Sequence, residues 1–236
     1  MRYKRLLLIF PILFLAVYFC AGIFYDAQYV TLTKPFIIPS FAVYALANNL
    51  NKFTLNYSLY IIFFYINELL LLQWIDSTIM YRLALIASFF CYLTLINLGY
   101  KEIKNKNLYT FPKGFTLFIL FINCIFLVII LYILITAIND RHLNIILIFN
   151  AIVAVILGVT AVLYLGKFTN KNSYYYFFGV FALIFNDIFA AIVTYFIDNN
   201  FLNTIDRLLH FTSFFLIYLF VINDKKELKL FDKIHT

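Results

Sequence analysis

Two acidic residues stand where acids are rare. Glu68 lies in FFYINELLLLQW and Asp187 in FALIFNDIFAAIV, each inside an apolar run. A charged carboxylate at the centre of a membrane helix costs about 2.5–3.5 kcal/mol on insertion scales, and such a residue marks a functional site by default. Two carboxyls near each other titrate as a unit, one holding a proton while the other is ionised. That division suits acid/base chemistry in which one group donates a proton and the other accepts one or faces a cation. The competing reading is a buried polar pair that only holds helices together.

Other polar residues gather at the same level. Asn67 and Asn186 precede the two acids, and Tyr65, three residues before Glu68, shares its helical face. Gly179, Ala190, Ala191 and Thr194 fall close to the face of Asp187, where small residues let helices approach. His210 is expected five residues into its helix, Asn150 six and Arg82 three, with Lys34 at the outer mouth of the second helix. Together they outline a polar pocket in the outer half of the membrane. Arg82 also reads as a snorkelling interface residue. His210 also reads as a hydrogen-bonding partner of Ser213 or Asp206, and the asparagines, Asn123 among them, as ties between helices. The tyrosines and phenylalanines read as lipid-facing or packing residues, with Trp74 an interfacial anchor.

Several chemistries are excluded. Only His210 is a candidate imidazole ligand at this depth, whereas catalytic zinc normally takes three protein ligands. Cys20, Cys91 and Cys124 lie in apolar runs without metal-ligand spacing and read as small core residues. There is no Gly-rich phosphate loop and no Ser-His-Asp arrangement. The expectation is therefore no metal and no cofactor.

The elements that must position these residues follow from composition. Of 236 residues, 65% are hydrophobic and 12% charged, with a mean hydropathy of +0.94. A soluble domain is about 45–50% apolar and about 25% charged. A soluble enzyme, a disulfide scaffold and an outer-membrane barrel, with its weaker alternating pattern, are all excluded. The chain reads as all-α, a polytopic helical membrane protein forming one integral domain over residues 1–236. Eight transmembrane helices are expected at about 5–24, 36–50, 55–75, 79–99, 115–137, 144–165, 174–196 and 205–223. The first follows Arg2, Lys4 and Arg5, and no small-residue cleavage site interrupts it, so it reads as a span and not a signal peptide.

Orientation follows from the basic residues. With the N-terminus inside, Lys34, Arg82, Arg141 and Arg207 fall on the outer side and the remaining 14 of 18 on the inner. That bias is what the positive-inside rule expects, and it makes both termini cytoplasmic. The net charge of +7 thus encodes orientation, not nucleic-acid binding, and the expected partner is membrane lipid. The expected location is the cell membrane, a bacterial inner membrane, crossed by multiple passes. The third and seventh helices then run parallel from inside to outside. Glu68 is 13 residues past Leu55 and Asp187 13 past Tyr174, which puts both roughly 20 Å above the cytoplasmic end. The tail DKKELKLFDK reads as a solvated segment or as a short amphipathic helix on the inner leaflet.

These residues resemble the lysoplasmalogenase-like (YhhN) family of eight-helix membrane proteins. TKPFIIPSF, at 33–41, is similar to the family's Lys-Pro-x-x-x-Pro opening of the second helix, with Lys34, Pro35 and Pro39 in place. FGVFALIFNDIFAA, at 178–191, resembles its Gly-x-x-x-Phe-x-x-Ser-Asp segment, with Asn186 where the family has Ser. Asn67-Glu68-Leu69-Leu70-Leu71 occupies the place of a Gly-Asp-x-x-Leu motif, Glu for Asp. The fourth helix, MYRLALIASFFCYLTL, lacks the family's His-x-x-Tyr, and no Tyr and Ala-Gln signature is evident around His210. The resemblance implies an integral membrane hydrolase that cleaves the vinyl ether bond of a lysophospholipid-type substrate. Glu68 and Asp187 would be its acid/base residues, with Lys34 and Arg82 drawing in the phosphate head group. Two other classes stay open on the residues alone: a proton-coupled transporter using the same carboxylates, and a membrane scaffold or sensor component without chemistry.

Overall fold

The computed structural model describes residues 9–24, 27–49, 53–72, 78–105, 114–138, 140–168, 170–196 and 200–234, nearly all of them helical. Among the described residues there are eight helices and no strand. They are α1 (Ile9–Phe24), α2 (Ala27–Asn49), α3 (Leu55–Leu72), α4 (Thr78–Asn105), α5 (Gly114–Ala137), α6 (Arg141–Lys167), α7 (Lys171–Tyr195) and α8 (Asn200–Ile234). The expected all-helical architecture is present, with one helix for each expected span. Six helices, α3 to α8, are long and apolar enough to cross a membrane, while α1 and α2 carry the shorter apolar stretches Ile9–Cys20 and Pro35–Ala47. A helix satisfies its own backbone hydrogen bonds, which a lipid environment requires. Exposed Phe118, Phe121, Phe126, Val128 and Tyr132 give α5 a surface suited to lipid.

Helices begin earlier than the apolar runs because polar residues cap them. Asp140 accepts from the backbone N–H of His142 at 3.0 Å and Leu143 at 3.2 Å, so α6 starts at Arg141 and not at 144. Asn170 accepts from Ser173 N at 2.9 Å and starts α7 at Lys171, three residues before the apolar run. Side-chain acceptors of this kind satisfy N–H groups that a first helical turn leaves over. In α2 the helix runs through Pro35 and Pro39 and begins at Ala27, nine residues upstream of the expected start at Phe36. The Ser40 hydroxyl donates to the Ile37 carbonyl at 2.7 Å nearby. Side-chain hydroxyls commonly serve backbone groups where a proline interrupts a membrane helix.

The chain divides into two compact units, residues 1–91 and 92–236, with the boundary inside α4. In the first, α2 packs against both α1 and α3. Its buried side chains include Tyr18, Ile37, Ile38, Phe41 and Ala45, together with one face of α3. That face carries Tyr57, Tyr60, Phe64 and Glu68, a spacing of three, four and four residues.

In the second unit α7 packs against α6 and most extensively against α8, and α5 against α6. Gly179 explains the close pairing of α7 with α8: a Cβ there would meet Ile217 Cδ1 at 2.9 Å and Leu216 Cβ at 3.2 Å. Tyr164, Phe168, Tyr176 and Phe220 form an aromatic cluster with centroid separations from 4.7 to 5.4 Å. The buried Tyr176 hydroxyl donates to the Leu95 carbonyl at 2.8 Å. It also lies against Gly99, where a Cβ would collide with its ring. Lys167, in the last turn of α6, donates to the Ile103 carbonyl in the last turn of α4 at 2.5 Å.

Candidate functional site

Asp187 anchors a polar cluster built from three helices of the second unit. It lies 16 residues past the start of α7 and eight before its end, roughly 12 Å below the latter at the helical rise. His210 lies ten residues into α8, roughly 15 Å from its start. The expected five is corrected because α8 begins at Asn200 and not at 205. The residue therefore sits nearly three turns inside the helix instead of in its second turn. Asn150 is likewise nine residues into α6, since the Asp140 cap extends that helix.

The Asp187 carboxyl is held from two sides. The Tyr92 hydroxyl, from α4, donates to Asp187 Oδ2, and Asn186 Nδ2 donates to Oδ1 at 3.2 Å. His210 lies within electrostatic range of the same carboxyl. Tyr92 is 2% exposed and His210 7%, whereas Asp187 itself keeps part of its surface open. The cluster is thus a partly exposed carboxyl whose oxygens both accept hydrogen bonds, with an imidazole within electrostatic range. Such a group can take a proton or face a developing cation.

The sequence reading offered Ser213 as a partner of His210. A bond exists, but the Ser213 hydroxyl donates to the His210 backbone carbonyl at 2.7 Å, one turn away on α8. Asn150 donates to the Ile146 carbonyl of its own helix at 3.3 Å, and Asn123 to Ile119 at 2.8 Å.

Glu68 belongs to the first unit and is 2% exposed. It continues the buried aromatic face of α3, in which the Tyr57 and Tyr60 rings stack at 6.1 Å and Tyr60 meets Phe64 at 5.5 Å. The buried residue one turn before Glu68 is Phe64, while Tyr65 and Asn67 are half-buried. Arg82 is half-buried four residues into α4. Lys34 falls within α2, but its side chain, like those of Trp74 and Thr194, lies outside the described residues. Among the described residues no three His, Cys, Asp or Glu side chains gather into a metal-binding group.

Tyr92 is the residue that sequence reasoning missed. Tyrosine is common here, with 19 in the chain, and one hydroxyl among so many aromatics reads as packing. A signal was present in its company. At helical spacing Tyr92 follows Ala84 and Ser88 and precedes Leu95, a face on which small residues lead up to a bulky phenol. No known family profile, no curated protein and no solved structure matches the chain, so its function is read from its own residues.

Proposed function

We propose that this chain is an integral membrane hydrolase that cleaves the vinyl ether bond of a lyso ether phospholipid, with Asp187 and Glu68 as its acid/base residues. The observation that carries the proposal is the Asp187 carboxyl, set within a membrane-length helix and accepting from Tyr92 and Asn186. A vinyl ether needs no nucleophilic side chain, only a proton donor, a partner for a cation and water, and the sequence offers carboxyls and no Ser-His-Asp arrangement. The likeness of residues 33–41 and 178–191 to lysoplasmalogenase-like (YhhN) segments points to the same bond.

The reaction begins when a carboxylic acid protonates the vinyl carbon farther from oxygen, forming an oxocarbenium ion. Water adds to that cation and gives up a proton to the second carboxylate, leaving a hemiacetal. The hemiacetal breaks its C–O bond to glycerol, so the fatty chain leaves as an aldehyde and the glycerol oxygen leaves as a hydroxyl. In that last step the second carboxyl protonates the departing glycerol oxygen and the first carboxylate takes the hemiacetal hydroxyl proton. One water is consumed and both carboxyls regain their starting states. With both oxygens of Asp187 engaged as acceptors, Asp187 takes the part of base and cation partner. Glu68, the more deeply buried acid, then takes that of donor. Lys34 and Arg82 draw in the phosphate head group, and Asn67 lines the approach to Glu68. All eight helices cross the bilayer, a bacterial inner membrane, with both termini in the cytoplasm.

The test is aldehyde release from a lysoplasmalogen by the full chain purified in detergent. Release by wild type and its loss in Glu68→Gln and Asp187→Asn are expected. Release that persists in both variants would overturn the acid/base roles. An inactive wild type that instead shows proton-gradient-driven uptake in proteoliposomes would replace the hydrolase with a carrier.

A further inference from the structure

We propose that Tyr92 is the positioning residue for Asp187, fixing from α4 the carboxyl that α7 carries. The inference rests on the hydrolase reading for its kinetic consequence but not for its structural one. Asp187 stands inside the continuous helix α7, and a carboxyl on a short side chain there can turn about its last bond. Asn186 is its immediate neighbour on the same helix, so its donation to Oδ1 alone ties the carboxyl only to its own backbone segment. The Tyr92 hydroxyl supplies the constraint from a second helix, on the other oxygen.

The anchor is itself rigid. Tyr92 is 2% exposed, so its ring has little room to rotate. The same stretch of α4 is tied to α7 once more, three residues on, where the Leu95 carbonyl accepts from the Tyr176 hydroxyl at 2.8 Å. Gly99 continues the seam, its missing side chain making room for the Tyr176 ring. Two tyrosines thus bridge the same helix pair in opposite senses: Tyr92 reaches from α4 to a side chain of α7, and Tyr176 from α7 to the backbone of α4. The Tyr176 bond fixes the spacing of the helices. The Tyr92 bond uses that spacing to fix a reactive group. On the α8 side His210 lies within electrostatic range of the same carboxyl, while Tyr92 and Asn186 make the hydrogen bonds to its two oxygens.

Tyr92→Phe keeps the buried ring and removes only the hydroxyl, and Tyr176→Phe is the matched control for a structural tyrosine. Two readouts are taken on the full chain in detergent. The first is the infrared band of the Asp187 carboxyl, assigned by its disappearance in Asp187→Asn. The second is aldehyde release from a lysoplasmalogen. Tyr92→Phe is expected to shift the Asp187 band and to lower kcat by about tenfold or more with KM unchanged, as when a reacting group loses the bond that orients it. Tyr176→Phe is expected to leave the band and kcat in place while lowering thermal stability. A band unmoved by Tyr92→Phe would overturn the proposal whatever the activity. A shifted band in a chain whose wild type releases no aldehyde would support the hold on Asp187 and overturn the hydrolase reading. A shifted band with unchanged kcat in an active enzyme would overturn the positioning role.

Discussion

A carboxylate in a membrane helix must find polar company, because lipid offers none. Asp187 finds it in Tyr92, Asn186 and His210. Glu68 sits at the end of a buried tyrosine and phenylalanine face. The two acids were legible in the sequence for a simple reason: charge is scarce in this chain, so a charge inside an apolar run stands out. Tyr92 was not, because a phenol serves equally well as packing and as a donor, and the small residues on its face are only a weak local sign of the second role. Which oxygen of Asp187 meets which donor depends on contacts across 95 residues, beyond what spacing on one helix carries. At this scale Glu68→Gln is expected to lower aldehyde release by about 100-fold or more, the usual contribution of a positioned proton donor. Initial rates at saturating substrate check this, and a rate within twofold of wild type would remove Glu68 from the reaction.

Helices were the most legible feature, and their ends the least. Apolar runs located all eight, but α6 and α7 each begin three residues before the expected positions because Asp140 and Asn170 cap a polar first turn. The five-residue extension of α8 at its start puts His210 ten residues into the helix instead of five. Asp140→Ala removes an N-cap and is expected to cost about 1 kcal/mol, read as a lower thermal midpoint in detergent. Gly179 bears a heavier demand. A side chain there meets Ile217 and Leu216 of α8 within 3.2 Å, so Gly179→Val is expected to cost about 1–3 kcal/mol through overpacking. Thermal-shift measurements on the purified protein check both, and a Gly179→Val midpoint equal to wild type would show that α7 and α8 do not pack there.

For the whole molecule, six membrane-length helices make a multi-pass membrane protein the plain reading of the fold. The shorter apolar stretches of α1 and α2 are consecutive, so the parity of the helices that follow is the same whether this pair crosses the bilayer or turns within it. On the proposed topology, with 14 of 18 basic residues on one side, both termini are expected in the cytoplasm. Fluorescent-protein and alkaline-phosphatase fusions at each end test this: a fluorescent GFP and an inactive phosphatase are expected at both, and an active phosphatase at either would reverse the topology. The central claim is that a membrane-embedded carboxyl does the chemistry. Its most direct test is the rate of aldehyde release from a lysoplasmalogen by wild type and by Asp187→Asn, each purified in detergent and matched for thermal stability. The account predicts release by wild type and at least about a 100-fold loss in Asp187→Asn. Equal rates in the two proteins would contradict it.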